Sequence, residues 1–280
     1  MKIEDYIEKN FSFKSFNLQK KKNFNDIKNY YQNAKADTIH CYKTISKYLS
    51  KDQKILEVGG GIHLLTNYLN EEYDITSLEP GSFTEYTDDL RKQILSRKEI
   101  NAFTTTLENF YTNDKYDFIF SMNVLEHTKD IKSHIKNCLK LLKDENSILF
   151  IQCPNYTFPY EAHFYEFFIP FCPKFTFEKL KKKKLIKKLG EKKFYNILNF
   201  LNFDCTYRNI KKMDLNIDFK HPVEEIFLRI KKDKQFKNRI LQHFFIRMIY
   251  KFIIFLKIEK IIFKLYPMSI SPYMIFTIKI

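Results

Sequence analysis

Three of the chain's five glycines stand side by side, at Gly59, Gly60 and Gly61, within KILEVGGGIHLL. A short apolar run, KILEV, precedes them, and a helix-forming stretch, IHLLTNYLN, comes directly after. Strand, glycine turn, helix is the opening step of a doubly wound α/β unit. There the backbone bends sharply and passes close to a neighbour that leaves no room for a Cβ. A chain this poor in glycine clusters them only where the turn demands it.

The rhythm continues downstream. YDITSLEP (73–80), INAFTTTL (100–107), YDFIFSMNV (116–124) and SILFIQCP (147–154) read as strands. The helical patterns EYTDDLRKQIL and DIKSHIKNCLKLLK fall among them. The centre of 116–124 is almost wholly apolar, as in a strand covered on both faces. Alternation of this kind predicts a mostly parallel sheet. Upstream, Ile27 to Leu49 shows helical spacing, which predicts an N-terminal helical segment (1–49) before a core at 50–155.

After Pro154 the pattern changes. A proline- and aromatic-rich stretch leads into two lysine-rich amphipathic helices divided at Gly190, a natural residue to stand just past a helix end. TYRNIKKM reads as a helix capped by Thr206, LNIDF as a sixth strand, 222–264 as further helices and SPYMIFTIKI as a terminal strand. Residues 156–280 thus form a basic helical cap interleaved with the last strands of the core.

Charge divides along the same line. Residues 1–150 hold 22 Lys and Arg against 22 Asp and Glu; residues 151–280 hold 26 against 11 and carry the whole net charge of +15. Codon bias would spread lysine evenly, so the asymmetry points to an anionic neighbour of the second half. The five cysteines are far apart and show no CxxC spacing, which fits reduced thiols in a cytoplasmic protein and no structural zinc. Neither a signal-peptide core nor a spanning apolar run is visible.

Two familiar glycine turns do not fit. A dinucleotide fingerprint would place its third glycine at position 64, which is Leu64, and a P-loop needs Gly-Lys-Ser/Thr. What remains is acidic-x-Gly-x-Gly: Glu57, Val58, Gly59, Gly60, Gly61. This resembles motif I of the class I S-adenosylmethionine-dependent methyltransferases. The resemblance spans about residues 50–155 and implies a Rossmann-like, mostly parallel sheet with a terminal antiparallel strand, carrying helical basic insertions. It also implies S-adenosyl-L-methionine as cofactor, with Glu57, Gly59, Gly60 and Gly61 around it. The free N–H groups of the helix after the turn would face the methionine carboxylate. Glu79, at the end of the second strand, stands where family members hold both ribose hydroxyls. Thr106 and Leu107 match the adenine-contacting stretch, although Thr106 occupies a place usually acidic in the family. SMNVLEHTKD resembles the segment over the methionine end, with Ser121, Asn123 and His127 as its polar candidates. Glu126 and His127 read as turn-holding residues, and His63 as a tolerated replacement for a third glycine.

The acceptor is read from the segments after the fourth and fifth strands. SMNV replaces the Asn/Asp-Pro-Pro-aromatic motif of base-amino methylation, and no cysteine nucleophile stands there for cytosine-C5 chemistry. Cys153 reads as a buried small hydrophobe, and no metal-ligand constellation is evident. CPNYTFPYEAHFYEFFIPFCPK (153–174) resembles a segment of bacterial methyltransferases from surface-polysaccharide biosynthesis. That resemblance implies O-methylation of a sugar in a lipid- or nucleotide-linked glycan. Its chemistry suits Glu161 and His163, a carboxylate orienting an imidazole base, while a purely loop-fixing role for both stays open. Tyr156, Tyr160, Phe164 and Tyr165 either stack on a sugar or fill core. An RNA or protein methyltransferase using the basic half is the alternative. Nucleic acid is disfavoured because no recognised RNA-binding module accompanies the charge. The basic amphipathic stretches over 174–260 also suit an anionic membrane surface, and hence a peripheral place at the inner membrane face.

Overall fold

The computed structural model describes residues 1–18, 23–81, 85–241 and 244–280. Two N-terminal helices, α1 (Ile3–Phe11) and α2 (Phe24–Ile45), precede β1 (Lys54–Val58), α3 (Leu64–Leu69), β2 (Asp74–Leu78), α4 (Glu85–Leu95), β3 (Asn101–Phe103), β4 (Phe118–Met122), α5 (Ile131–Leu141) and β5 (Ile148–Pro154). Next is a hairpin of two-residue strands, β6 (Tyr160–Glu161) and β7 (Glu166–Phe167). Then come α6 (Pro173–Phe175), a π-helical turn at Thr176–Leu180, α7 (Lys182–Leu189), α8 (Glu191–Phe200) and α9 (Tyr207–Lys211). The chain returns to the sheet as β8 (Ile217–Lys220). It leaves again through α10 (Val223–Lys232), α11 (Lys234–Ile240), α12 (Phe244–Leu256) and α13 (Glu259–Leu265), and ends in β9 (Tyr273–Ile278).

Seven strands form one sheet in the order β3-β2-β1-β4-β5-β9-β8. The first five are parallel, and β9 runs antiparallel between β5 and β8. Period-two alternation sorts the strand side chains onto two faces. Ile55, Ile75, Phe118, Phe120 and Phe150 join Ile3, Ile7, Phe11, Ile27 and Ile45 on one side. Leu56, Val58, Ile119, Leu149 and Ile151 join α5 and the helices after β5 on the other. The N-terminal helices are therefore one layer of the sandwich rather than a separate lobe.

Register positions the site. Val58 lies opposite Leu78 on β2 and Ser121 on β4. The residues that leave these strands (Gly59, Glu79 and Asn123) therefore emerge on one rim, at the carboxyl ends where open α/β sheets bind ligands. The predicted third strand is shorter than its pattern, because the chain beyond Phe103 leaves the sheet and Thr105 and Thr106 reach that rim. The third helix starts at Leu64 rather than Ile62, because His63 takes a left-handed conformation at φ 58°. The lysine-rich helices also turn out differently. Leu185, Phe194, Leu198 and Leu201 are buried in the core, so the apolar stripe of α7–α8 faces inward.

Candidate active site

The glycine turn is pinned to β2. The N–H groups of Gly59 and Gly60 both donate to the Leu78 carbonyl, at 2.8 and 3.1 Å, and Gly61 N–H donates to Glu79 Oε2 at 2.9 Å. The three glycines have different reasons to be there. A Cβ on Gly59 would come within 2.2 Å of Val124 Cγ2, and one on Gly60 within 2.2 Å of Ser77 Oγ and 2.5 Å of His63 Nδ1. Of the three, only Gly61 would point a Cβ into open space, at φ +55°. The expectation that all three clear a path for the ligand is thus corrected: Gly59 and Gly60 make room for the protein itself, and Gly61 for the cleft. The glycines' own N–H groups are thus taken up by β2 and Glu79, and α3 follows at Leu64 without a side-chain cap.

Glu57 is placed away from the cleft wall. Its carboxylate is buried and accepts from Thr66 Oγ1 and, at 3.1 Å, from Ser77 Oγ. Burial pushes its carboxyl up to about 7. His63 closes the same cluster, with Nδ1 at 3.1 Å from Ser77 Oγ and 3.3 Å from Thr66 Oγ1, and burial holds it down at about 4. Glu57 therefore ties β1, β2 and α3 together beneath the turn. Ser121 is also buried and does not line the cleft.

Glu79 does face the cleft. Oε2 takes Gly61 N–H and Oε1 takes Gly81 N–H at 3.2 Å, while burial raises its carboxyl above the ordinary value against those bonds and the Arg91 charge. Thr106 and Leu107 line the wall beside it, and Asn123, held at φ 56° with its N–H on the Gln152 carbonyl, lines the floor from β4. Further along, His134 Nδ1 meets Glu108 Oε1 at 2.8 Å, and this bond draws the Glu108 carboxyl down to about 2.

The second end of the cleft gathers two segments far apart in sequence. His163 Nδ1 lies 2.7 Å from Glu161 Oε1, and Glu161 Oε2 accepts Phe164 N–H at 2.7 Å. Tyr156 OH approaches the same Oε1 at 3.4 Å. Glu161 is fully buried, whereas the His163 side chain is 38% exposed and opens on the cleft. Burial pushes the imidazole pKa down, but the charge and hydrogen bond of Glu161, with Glu126 behind, raise it above 6.5 overall. His127 stands edge-on to His163 at 5.1 Å and stacks on Phe200 at 4.1 Å; burial and the charge of His163 hold it at about 3. Glu126 is buried below with Oε2 unpartnered among the described residues, and burial raises its carboxyl to about 7. Of the four aromatic candidates only Tyr156 lines the cleft. Phe164 is core against Phe177, Tyr160 packs on Phe167, and Tyr165 lies beneath Lys188.

A cleft of about 2190 Å³ connects these ends. A single drug-sized ligand occupies a pocket of roughly 300–1,000 Å³, so there is room for a cofactor and an acceptor together. A family model described as a methyltransferase domain matches residues 30–182, more than half of the chain.

The chain belongs to the methyltransferase-domain family.

Over 116 residues it is 38% identical to the uncharacterized protein Rv1509 of Mycobacterium tuberculosis, a match covering 39% of each chain. The chain thus spans about two fifths of the length of the curated relatives it matches first. Among solved structures, the plantazolicin methyltransferase BpumL, in complex with a triazolic desmethylPZN analog and SAH, aligns with 99% of this chain and 98% of its own. That alignment has 13% identity and a TM-score of 0.42. An S-adenosylmethionine-dependent methyltransferase from Clostridium acetobutylicum aligns over 55% of this chain and 57% of its own, at 16% identity and a TM-score of 0.35.

The rim fits the S-adenosylmethionine that the glycine motif implies. Each oxygen of Glu79 accepts one N–H, while a carboxylate offers about four acceptor directions, so acceptor capacity remains for two ribose hydroxyls. The open space at Gly61 adjoins that carboxylate. Sequence reasoning missed several residues of the methyltransferase cleft. Val124 fills the space that Gly59 leaves, Arg91 reaches the rim from α4 and donates to the Glu79 carbonyl at 3.3 Å, and exposed Phe171 and Phe175 stand at the mouth. The aromatic pair had a signal in FIPFCPKF, where two closely spaced prolines interrupt an apolar run, leaving Phe171 outside any element and Phe175 at the end of the short α6. Arg91 had none.

Proposed function

We propose that this methyltransferase transfers its methyl group to a sugar hydroxyl of a lipid- or nucleotide-linked surface glycan, with His163 as general base. The observation that carries the reading is the Glu161–His163 pair. Its buried carboxylate receives Nδ1–H, so Nε2 is left as an acceptor facing the cleft. The bound cofactor supplies an electrophilic methyl group. Glu79 would hold the ribose hydroxyls, Gly59 and Gly61 the backbone side of the ligand, Thr106 and Leu107 the adenine, and Asn123 the methionine end. His163 Nε2 takes the proton of the attacking hydroxyl, whose pKa is too high for it to ionise unaided, and Glu161 stabilises the imidazolium that results. Phe171 and Phe175 offer apolar faces for a sugar ring at the mouth, and Lys174, Lys192 and Lys193 supply charge for a phosphate on the acceptor.

The test offers purified protein and radiolabelled S-adenosylmethionine to three acceptor sets: nucleotide- and lipid-linked sugars, RNA, and peptides. Label on a sugar oxygen supports the reading. Label confined to RNA or peptide replaces it with the alternative acceptor class.

A further inference from the structure

The segment 244–265 carries α12 and α13, in the stretch between β8 and β9. α12 reads FFIRMIYKFIIFL, mostly apolar with Arg247 and Lys251 within it. At about 100° per residue, Phe244, Phe255, Met248 and Phe252 fall on one stripe, and all four are exposed, Phe255 at 82% and Phe252 at 61%. The opposite side of the helix already has its contacts: Ile253 is buried, and the Tyr250 ring packs on Phe227 of α10 at 5.7 Å. α13 repeats the arrangement. Phe263 packs on the same Phe227 ring at 5.2 Å, while Ile261 and Leu265, one turn apart, are exposed, Leu265 at 71%. A helix with its inner face satisfied turns a polar face to water; these two turn an apolar one.

Cations border that face. Arg247 and Lys251 run one turn apart along the α12 stripe, Lys257 stands at the junction, and Lys260 and Lys264 flank Ile261 and Leu265; all five are exposed. The one acidic residue in 244–265 is Glu259, which pairs with Lys231 at 3.4 Å. Among the described residues no helix is long and apolar enough to cross a membrane.

We propose that α12–α13 is an amphipathic anchor that lies in the interface of an anionic lipid bilayer, with its aromatic and aliphatic stripe among the acyl chains and its cations among the headgroups. The charge pattern selects this occupant. A bilayer interface takes apolar side chains and attracts the flanking cations at the same depth, with Lys and Arg stems reaching up to the phosphates. Pairing with a second copy through the same face would oppose like cations across a two-fold axis. The anchor is joined to the sheet domain through α10, whose Arg229 pairs with Asp37 on α2 and with Asp233 at 3.1 Å. Of the basic amphipathic stretches read from the sequence, only the last keeps its apolar face exposed, because α7–α8 bury their own stripe.

The proposal is independent of the acceptor's identity and is tested by vesicle flotation of the full chain. Vesicles of phosphatidylglycerol and phosphatidylcholine in equal parts should carry the protein up a density gradient, and pure phosphatidylcholine should not. Phe252→Ser with Phe255→Ser should abolish flotation. Arg247→Gln with Lys251→Gln should weaken partitioning roughly tenfold or more and reduce its salt sensitivity. Both pairs are exposed and should keep the wild-type melting temperature and S-adenosylmethionine affinity. Should the aromatic pair fail to fold, the charge pair decides. The anchor is overturned if wild-type protein does not float, if it floats equally with neutral vesicles, or if the charge pair floats like wild type. A dimer that the aromatic substitutions dissolve, in protein that does not float, overturns it in favour of a second copy.

Discussion

Glu161 lies beneath His163, fully buried, and receives its Nδ1 at 2.7 Å while a second oxygen is held by Phe164 N–H. The bond joins a residue in the protein interior to one that opens on the cleft. It sets the ring's orientation, its tautomer and its affinity for a proton at once.

If His163 is the base, His163→Ala should cut turnover by roughly 10²–10⁴-fold and leave cofactor affinity unchanged. The wild-type rate should rise with pH through a value above 6.5, because the neutral imidazole is the active form and Glu161 raises its pKa. Glu161→Gln removes that charge and should move the rising limb to lower pH. Single-turnover rates across pH 5 to 9 check both, and an unmoved limb in Glu161→Gln would show that the pair only fixes the loop.

Glu79→Ala should weaken S-adenosylmethionine binding by about 1.5–3 kcal/mol, the scale of hydrogen bonds lost from a charged group. It also frees Gly61 N–H and Gly81 N–H. Calorimetry on a variant with a native-like circular dichroism spectrum separates the two effects, and undiminished affinity would remove Glu79 from the cofactor site.

Gly59→Val should damage folding before binding, since its Cβ would overlap Val124 at a φ of +91°. Gly61→Ala meets no atom, and its φ of +55° adds strain of about 1–2 kcal/mol for a non-glycine residue. Melting temperatures should therefore rank wild type, then Gly61→Ala, then Gly59→Val. Adding Val124→Ala to Gly59→Ala should recover part of the lost stability. A Gly59→Val protein as stable as wild type would show that the overlap is relieved elsewhere.

Glu57 provides a pH test of its buried cluster. Its folded pKa of about 7 exceeds the ordinary value of 4.5, so the folded chain binds the extra proton. That contribution is fully present below about 4.5 and is lost as pH rises toward about 7. Glu57→Gln has no proton to lose. The melting temperature of the variant minus that of the wild type should therefore increase between pH 4.5 and 7 and then level off. A difference independent of pH would mean that Glu57 is ionised throughout.

Local pattern determined much of this protein. Five short apolar runs and their intervening helices specify a parallel sheet, because period, length and glycine punctuation act over a few residues at a time. Glu79 could be read as a site residue because its distance from Glu57 fits one strand–helix–strand step, and register then carries Glu79 to the same rim as the glycine turn. Glu161 and His163 were legible because they are two residues apart in one hairpin. Tertiary structure decided whatever depends on what lies across the sheet or the cleft. Glu57 looked like a ligand residue until Thr66 and Ser77 enclosed it, and the space a Cβ on Gly59 would take looked like room for the ligand until Val124, 65 residues downstream, was seen to fill it. The lysine-rich helices α7–α8 and the helices α12–α13 show the same amphipathic signature. Packing turned the first stripe inward onto Phe164 and left the second facing out. Periodicity shows that a helix has an apolar face; only the neighbour that covers it decides which way that face points.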